Sequence, residues 1–143
     1  MKRPIVTDIN ILRKVSVNAD HDEINAIIKD LEDSLDLSKG IGLSAIQIGI
    51  AKRISIIRIG DININLINAE IIEKADRFRF KNEGCLSLSG LKVDTIRYNK
   101  IKINNNGEIK DYTGLVACAC QHELQHELGR LIIDKGIIWR NIK

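Results

Sequence analysis

Apolar residues recur through DHDEINAIIKDLEDSLD (20–36) at Ile24, Ile27, Ile28, Leu31 and Leu35. That spacing puts five aliphatic side chains on one face of a helix. Acids crowd its first turn, where they suit the positive end of the helix dipole. KGIGLSAIQIG (39–49) is apolar and punctuated by glycine, and is expected to form a loop and a strand. KRISIIRI (52–59) and ININLI (62–67) are rich in isoleucine and flank Gly60-Asp61, which predicts two strands joined by a turn. The polar stretch EKADRFRFKNEG leads into CLSLSG with no strand assigned to it. Residues 91–97 and 100–104 again look extended, and Asn104-Asn105-Asn106-Gly107 has the composition of a hairpin turn. From about Thr113 to Leu128 the chain is expected to be helical, with Gly129 as its C-terminal cap. A few strands with one early and one late helix predict an α+β fold. With no repeat, low-complexity tract or Pro/Gly-rich linker, residues 1–143 are expected to form one domain.

Composition narrows this only a little. Hydrophobic residues make up 44% and aromatics 3%, so Ile, Leu and Val must fill the core. A net charge of +3, with no basic block interleaved with aromatics, gives no argument for nucleic acid. The N-terminal MKRPIVTDIN has no apolar run behind its basic residues, so it does not read as a secretory signal. GIGLSAIQIGIA, the longest mostly apolar stretch, is too short to cross a bilayer. Three cysteines, an odd number, fit a reducing, cytoplasm-like compartment.

The chemistry gathers near the C-terminus, in CQHELQHELGRLIID (120–134). His122 and His126 lie four apart, so on a helix both rings can reach one metal ion, with Glu123 beside them as a non-ligand acid. A catalytic centre of the zinc type takes three protein ligands and keeps one position open. Downstream sources for the third fail. Ile132 stands where one protease group has a histidine, and Glu127 points about 100° away around the helix. Upstream, Cys118 shares the histidines' face but lies eight residues from His126, roughly 12 Å along the axis. Cys120 projects to the opposite side, and His21 opens an amphipathic helix among acids. Cys85 remains, in Glu83-Gly84-Cys85-Leu86-Ser87, although a lone cysteine is more often a packing residue than a ligand.

Three segments taken in order change that weighting. GIGLSAIQIG, EGCLSLSG and QHELQHELG together resemble the peptide deformylase pattern G-x-G-L-A-A-x-Q, E-G-C-L-S and Q-H-E-x-D-H. Asp8 with Leu12-Arg13, the Leu66-Ile67-Asn68 segment and Arg97 also fall where that family has counterparts, so the likeness runs from about residue 3 to 134. The resemblance implies antiparallel sheets around a central helix carrying the H-E-x-x-H pattern, with one N-terminal helix. It implies removal of the formyl group from N-terminal formylmethionine of new polypeptides, with release of formate. It implies one divalent ion held by Cys85, His122 and His126. Ferrous iron is the family's usual ion, and zinc, nickel or cobalt can take the site. Glu123 would move the proton. The Gln47 side chain and the Leu86 backbone N–H would stabilise the oxyanion. Leu115, Cys118, Ala119 and Glu83 match pocket positions, and Ile41 and Gly42 match the segment that pairs with the peptide backbone.

The chain departs from the pattern at Ser44 (alanine in the family), at Gln125 (aspartate) and at Glu127 (leucine). None of these removes a proposed ligand, base or oxyanion donor. Only DKGIIWRNIK follows Ile133, so ribosome docking through a further C-terminal helix is not expected, leaving at most transient contact. The expected setting is a monomer in the cytoplasm, or in host cytoplasm or organelle stroma if the source is a phage or organelle. Two other readings use the same residues: an endopeptidase built on the two histidines and Glu123, and a non-catalytic binder of formylated peptide ends.

Overall fold

The computed structural model describes residues 1–134 and the backbone of residues 135, 137 and 138. Helix α1 (Ile9–Leu12) is capped by the Asp8 side chain, and α2 (Ile24–Ser34) follows a 3₁₀ turn at His21–Glu23. Two helices therefore precede the first strand, where one was expected. Strands β1 (Gly42–Ser44), β2 (Ile54–Ile59) and β3 (Ile62–Ile67) form an antiparallel sheet in that order. A second antiparallel sheet takes β4 (Glu70–Glu83), β5 (Val93–Asn105) and β6 (Glu108–Thr113). Helices α3 (Gly114–Glu127) and α4 (Ile132–Lys135) follow, and β7 (Ile137–Ile138) pairs with β5 at Val93 and Asp94. The architecture is α+β. The expectation about a C-terminal docking helix concerns residues 136–143, which lie outside the described residues apart from the backbone of 137–138.

The isoleucine run in β2 reflects burial on both faces of its sheet. Ile54 and Ile56 pack with Ile27 and Leu31 of α2 and with Leu35 at its C-terminal cap, while Ile57 faces Ala117, Cys120 and Leu124 of α3. In β5 the odd positions Val93, Thr95, Arg97, Ile101 and Ile103 are buried, and Ile101 and Ile103 join that same α3 cluster. Helix α3 thus packs against both sheets and is buried on most sides. Between its pairing with β7 at Val93 and Asp94 and its pairing with β6 from Lys100, β5 is met at Tyr98 by Gln121. Its amide donates to Tyr98 O at 2.7 Å and accepts from Tyr98 N at 2.9 Å, taking the place of a neighbouring strand. At the helix end Gly129 has φ +75°, Gly129 N–H reaches His126 O, and Arg130 N–H reaches Gln125 O at 2.9 Å. This is the left-handed glycine cap expected from the sequence. A Cβ on Gly129 would come 2.4 Å from Arg13 O, so the N-terminal segment also requires glycine there.

Both expected turns are present as two-residue hairpin loops, at Gly60-Asp61 and, within the expected Asn104–Gly107 stretch, at Asn106-Gly107 alone, with φ of +53° and +97°. The EKADRFRFKNEG stretch, left without structure, is most of β4. Its side chains are largely solvated, and register shifts after Ile71 and after Phe80 break its alternation. The two extended segments expected at 91–104 are one strand, and the segment at 39–49 is a short strand followed by a 3₁₀ turn (Ala45–Ile48) that carries Gln47.

Candidate metal centre and catalytic cleft

Leu115, Cys118, Ala119, His122 and Glu123 follow helical spacing along one stripe of α3, and all five line a cleft of about 740 Å³. Ile41, Gly42, Glu83, Cys85 and Leu86 line it too. Gln47 and His126 stand just behind that wall, each 1% exposed. The stripe runs from an apolar wall into polar chemistry, and the loop after β4 brings Cys85 against its polar end.

Cys85, His122 and His126 place their ligand atoms within 4.8 Å of one another, with Cys85 Sγ 3.3 Å from His126 Nε2. Cys118 and Cys120 are outside this set, and burial pushes their thiols up to about 11 and about 12, far from thiolate. His122 Nδ1 lies 2.6 Å from Glu83 Oε2, which fixes the ring and leaves Nε2 for a cation. Glu83 is itself gripped. Thr95 Oγ1 donates to Oε1 at 2.6 Å, Arg97 Nε donates to Oε1 at 2.8 Å, and Arg97 Nη2 pairs with Oε2. Arg97 Nη1 donates to Gln125 Oε1 at 2.7 Å, so position 125 sits beside Arg97 as a hydrogen-bonding residue. Glu83, expected to contact substrate, does line the cleft, but its carboxylate is engaged by these four donors. Its role in holding His122 had one sequence signal, its place two residues before Cys85.

Burial opposes charge on His122. The Glu123 carboxylate and hydrogen bonds to Cys85 and Glu83 outweigh it, raising the ring to about 10. Surroundings that pull a proton onto His122 also favour a cation among the three ligand atoms, and one thiolate with two imidazoles suits a divalent transition metal. Burial, with the charges of His122 and Arg97, holds His126 well below its usual value, as a neutral ligand requires. Burial also raises the Glu123 carboxyl, against the opposing effects of His122 and a Ser44 hydrogen bond.

Gln47 Oε1 accepts from Ser44 N at 3.0 Å, which orients the amide. Its Nε2 donates to Ser87 Oγ at 3.1 Å and lies 3.7 Å from Cys85 Sγ. On the other side of α3, Ser44 Oγ reaches Glu123 Oε1 and Ser55 Oγ, and Ser55 Oγ donates to Glu127 Oε2. This row links three elements far apart in sequence and was not foreseen.

A polypeptide deformylase family profile matches residues 2–139. The peptide deformylase of Aquifex aeolicus is 35% identical over 98% of this chain and 90% of its own length. Peptide deformylase 1 of Clostridium perfringens is 38% identical over 89% of this chain and 92% of its own. The crystal structure of the Thermotoga maritima peptide deformylase superposes with a TM-score of 0.82 at 31% identity, covering 94% of this chain and 97% of that one. A match over nearly the whole sequence agrees with a cleft that joins an apolar wall to a Cys/His/His cluster, and the chain belongs to the polypeptide deformylase family, the metal-dependent hydrolases that remove the formyl group from N-terminal methionine of new polypeptides.

Proposed function

We propose that deformylation by this chain runs on one divalent ion held by Cys85, His122 and His126, with Glu123, Gln47 and Leu86 as the reacting site's other groups. The observation carrying this reading is the convergence of the three ligand atoms within 4.8 Å, on the same cleft wall as Glu123. Ferrous iron is the proposed ion, in keeping with the family resemblance. When bound, such an ion supplies Lewis-acid charge that makes water a nucleophile at neutral pH.

The protein's own groups supply the rest. Among the described residues β1 pairs with β2 alone, which leaves its other edge open, and Ile41-Gly42 can take the peptide as an added strand. Leu115, Cys118 and Ala119 then offer the methionine side chain an apolar wall. Glu123 takes the proton of the attacking water and returns it to the departing amine. The carbonyl oxygen needs fixed donors as it gains charge. Among the described residues no acceptor takes the Leu86 N–H. The Gln47 amide has two hydrogens, and its long contact to Cys85 Sγ is the one a developing oxyanion can replace.

We take residues 1–143 as one catalytic domain working as a monomer in the cytoplasm or organelle where formylated chains are made, in transient contact with the ribosome. Among the described residues no helix is long and apolar enough to cross a membrane. The test is formate release from formyl-Met peptides after anaerobic purification with ferrous iron, with metal analysis alongside. One metal per chain is expected, lost in Cys85→Ser and kept in Cys118→Ser. The reverse pattern would reject the ligand set.

A further inference from the structure

The two carboxylate oxygens of Glu123 have unlike surroundings. Oε1 accepts from Ser44 Oγ at 3.0 Å. Oε2 takes no hydrogen bond among the described residues and lies over Gly42, where an added Cβ would come within 2.7 Å of it. Ser44 is fully buried and held on several sides. Its Oγ also reaches Glu123 O at 2.9 Å and Ser55 Oγ at 2.8 Å. Ser55 donates to Glu127 Oε2 at 2.7 Å, and Arg53 Nε stands 3.5 Å from Glu127 Oε1.

We propose that Ser44 is a positioning residue for deformylation: its hydroxyl hydrogen, directed at Glu123, holds Oε1 and leaves Oε2 as the oxygen that meets the attacking water. The terminal torsion of a glutamate is broad and roughly two-fold, so without a tether the two oxygens exchange places and tilt freely. A base must keep one oxygen within hydrogen-bond reach of the proton it removes. A purely structural account, in which the serines only satisfy the buried Glu127, explains Ser55 and not Ser44. Among the described residues Ser44 makes no hydrogen bond to Glu127, and its one hydrogen lies between the Glu123 carbonyl and Oε1, which it can share. The inference rests on Glu123 being the base.

The experiment measures kcat, KM and metal content for Ser44→Ala in the metal-loaded enzyme, alone and combined with Glu123→Ala. Alone, Ser44→Ala is expected to lower kcat about tenfold, in the range of one lost hydrogen bond to a charged group, with KM and metal unchanged. Combined with Glu123→Ala it is expected to add nothing, since its target is gone. An unchanged kcat, an equal loss in both backgrounds, or a loss that appears in metal content or KM overturns the proposal. A full rate in Glu123→Ala would instead remove Glu123 as base, a separate failure. If Ser44→Ala does not fold, the triple variant Ser44→Ala, Ser55→Ala, Glu127→Leu removes the serines together with the buried acid they face, and Arg53 keeps Ala69 O and Asn18. The same tenfold loss is expected there, and wild-type kcat would overturn the proposal.

Discussion

Two glutamate–arginine pairs flank helix α3, and they are built in opposite ways. Facing β5, Glu83 meets Arg97, Thr95 and His122 with both oxygens engaged. Facing β2, Glu127 has one serine donor. Arg53 is close enough to attract it but not placed to donate, so among the described residues Glu127 Oε1 and Arg53 Nε are both buried without a hydrogen bond. Burial acts to raise both carboxyls. It wins at Glu127, which rises to about 7, and loses at Glu83, where His122 and Arg97 bring the carboxyl down to about 2. Partners, and not depth, decide whether a buried acid stays ionised. One pair holds the ring of His122, a proposed metal ligand, and the other lies beside Ser55, the neighbour of Ser44.

The largest expected effect comes from cutting the well-bonded pair. Glu83→Ala leaves Arg97, 1% exposed, without its counter-charge and frees the His122 ring. Breaking a buried pair from one side costs about 3–5 kcal/mol. Loss of a ligand's orienting partner costs about 10–100-fold in metal affinity. Urea unfolding and metal titration measure the two, and a variant unchanged in both would show that Glu83 does not hold this side of the site.

Next comes Gln125, at the outer end of the same pair. Gln125→Leu strands an Arg97 N–H and is expected to cost about 1–3 kcal/mol. Gln125→Asp restores the family's acid and keeps an acceptor beside Arg97, so activity should move by much less than tenfold. A harmless leucine with a crippling aspartate would mean that the Arg97–Gln125 bond does not support the site.

Glu127→Leu is expected to change stability by less than about 1 kcal/mol, or to raise it, because replacing an imperfectly paired buried charge by an apolar side chain is often neutral or favourable. Ser55 can then turn to Ser44, and Arg53 keeps Ala69 O and Asn18. A loss as large as that of Glu83→Ala would erase the contrast between the two pairs.

The contrast also separates what the sequence shows from what it hides. Helices α2 and α3, the two tight hairpins and the Gly129 cap rest on local periodicity and turn residues, and were legible. So was the placing of His122 and His126 on one helix with Glu123 between them. Cys85 was reached by elimination and by resemblance, since nothing near it in sequence marks a ligand. β4 was missed because a solvated strand with register shifts lacks a two-residue period. Ser44, Ser55 and Glu127 were visible only as departures or not at all, because their bonds close across 72 to 79 residues.

A third pair, at the surface, gives the smallest effect and a check with a defined sign. Arg13 donates through Nη1 and Nη2 to both oxygens of Asp134, at 2.9 and 2.7 Å, joining the segment after α1 to α4. The Arg13 hydrogen bond is the main cause that brings Asp134 from 3.8 down to about 2. A carboxyl depressed on folding adds stability above its unfolded pKa and loses it as pH falls through the folded value. Wild type should therefore exceed Asp134→Asn near neutrality, and the gap should narrow from about pH 4 downward and close near pH 2. The partners are partly exposed, 42% and 28%, so solvent screens the pair. The expected gap is about 0.1–0.3 M in urea midpoint, smaller at high salt. A gap that stays the same at pH about 3 and in high salt would mean that Asp134 acts by capping α4 through its Leu131 N–H contact, and not through Arg13.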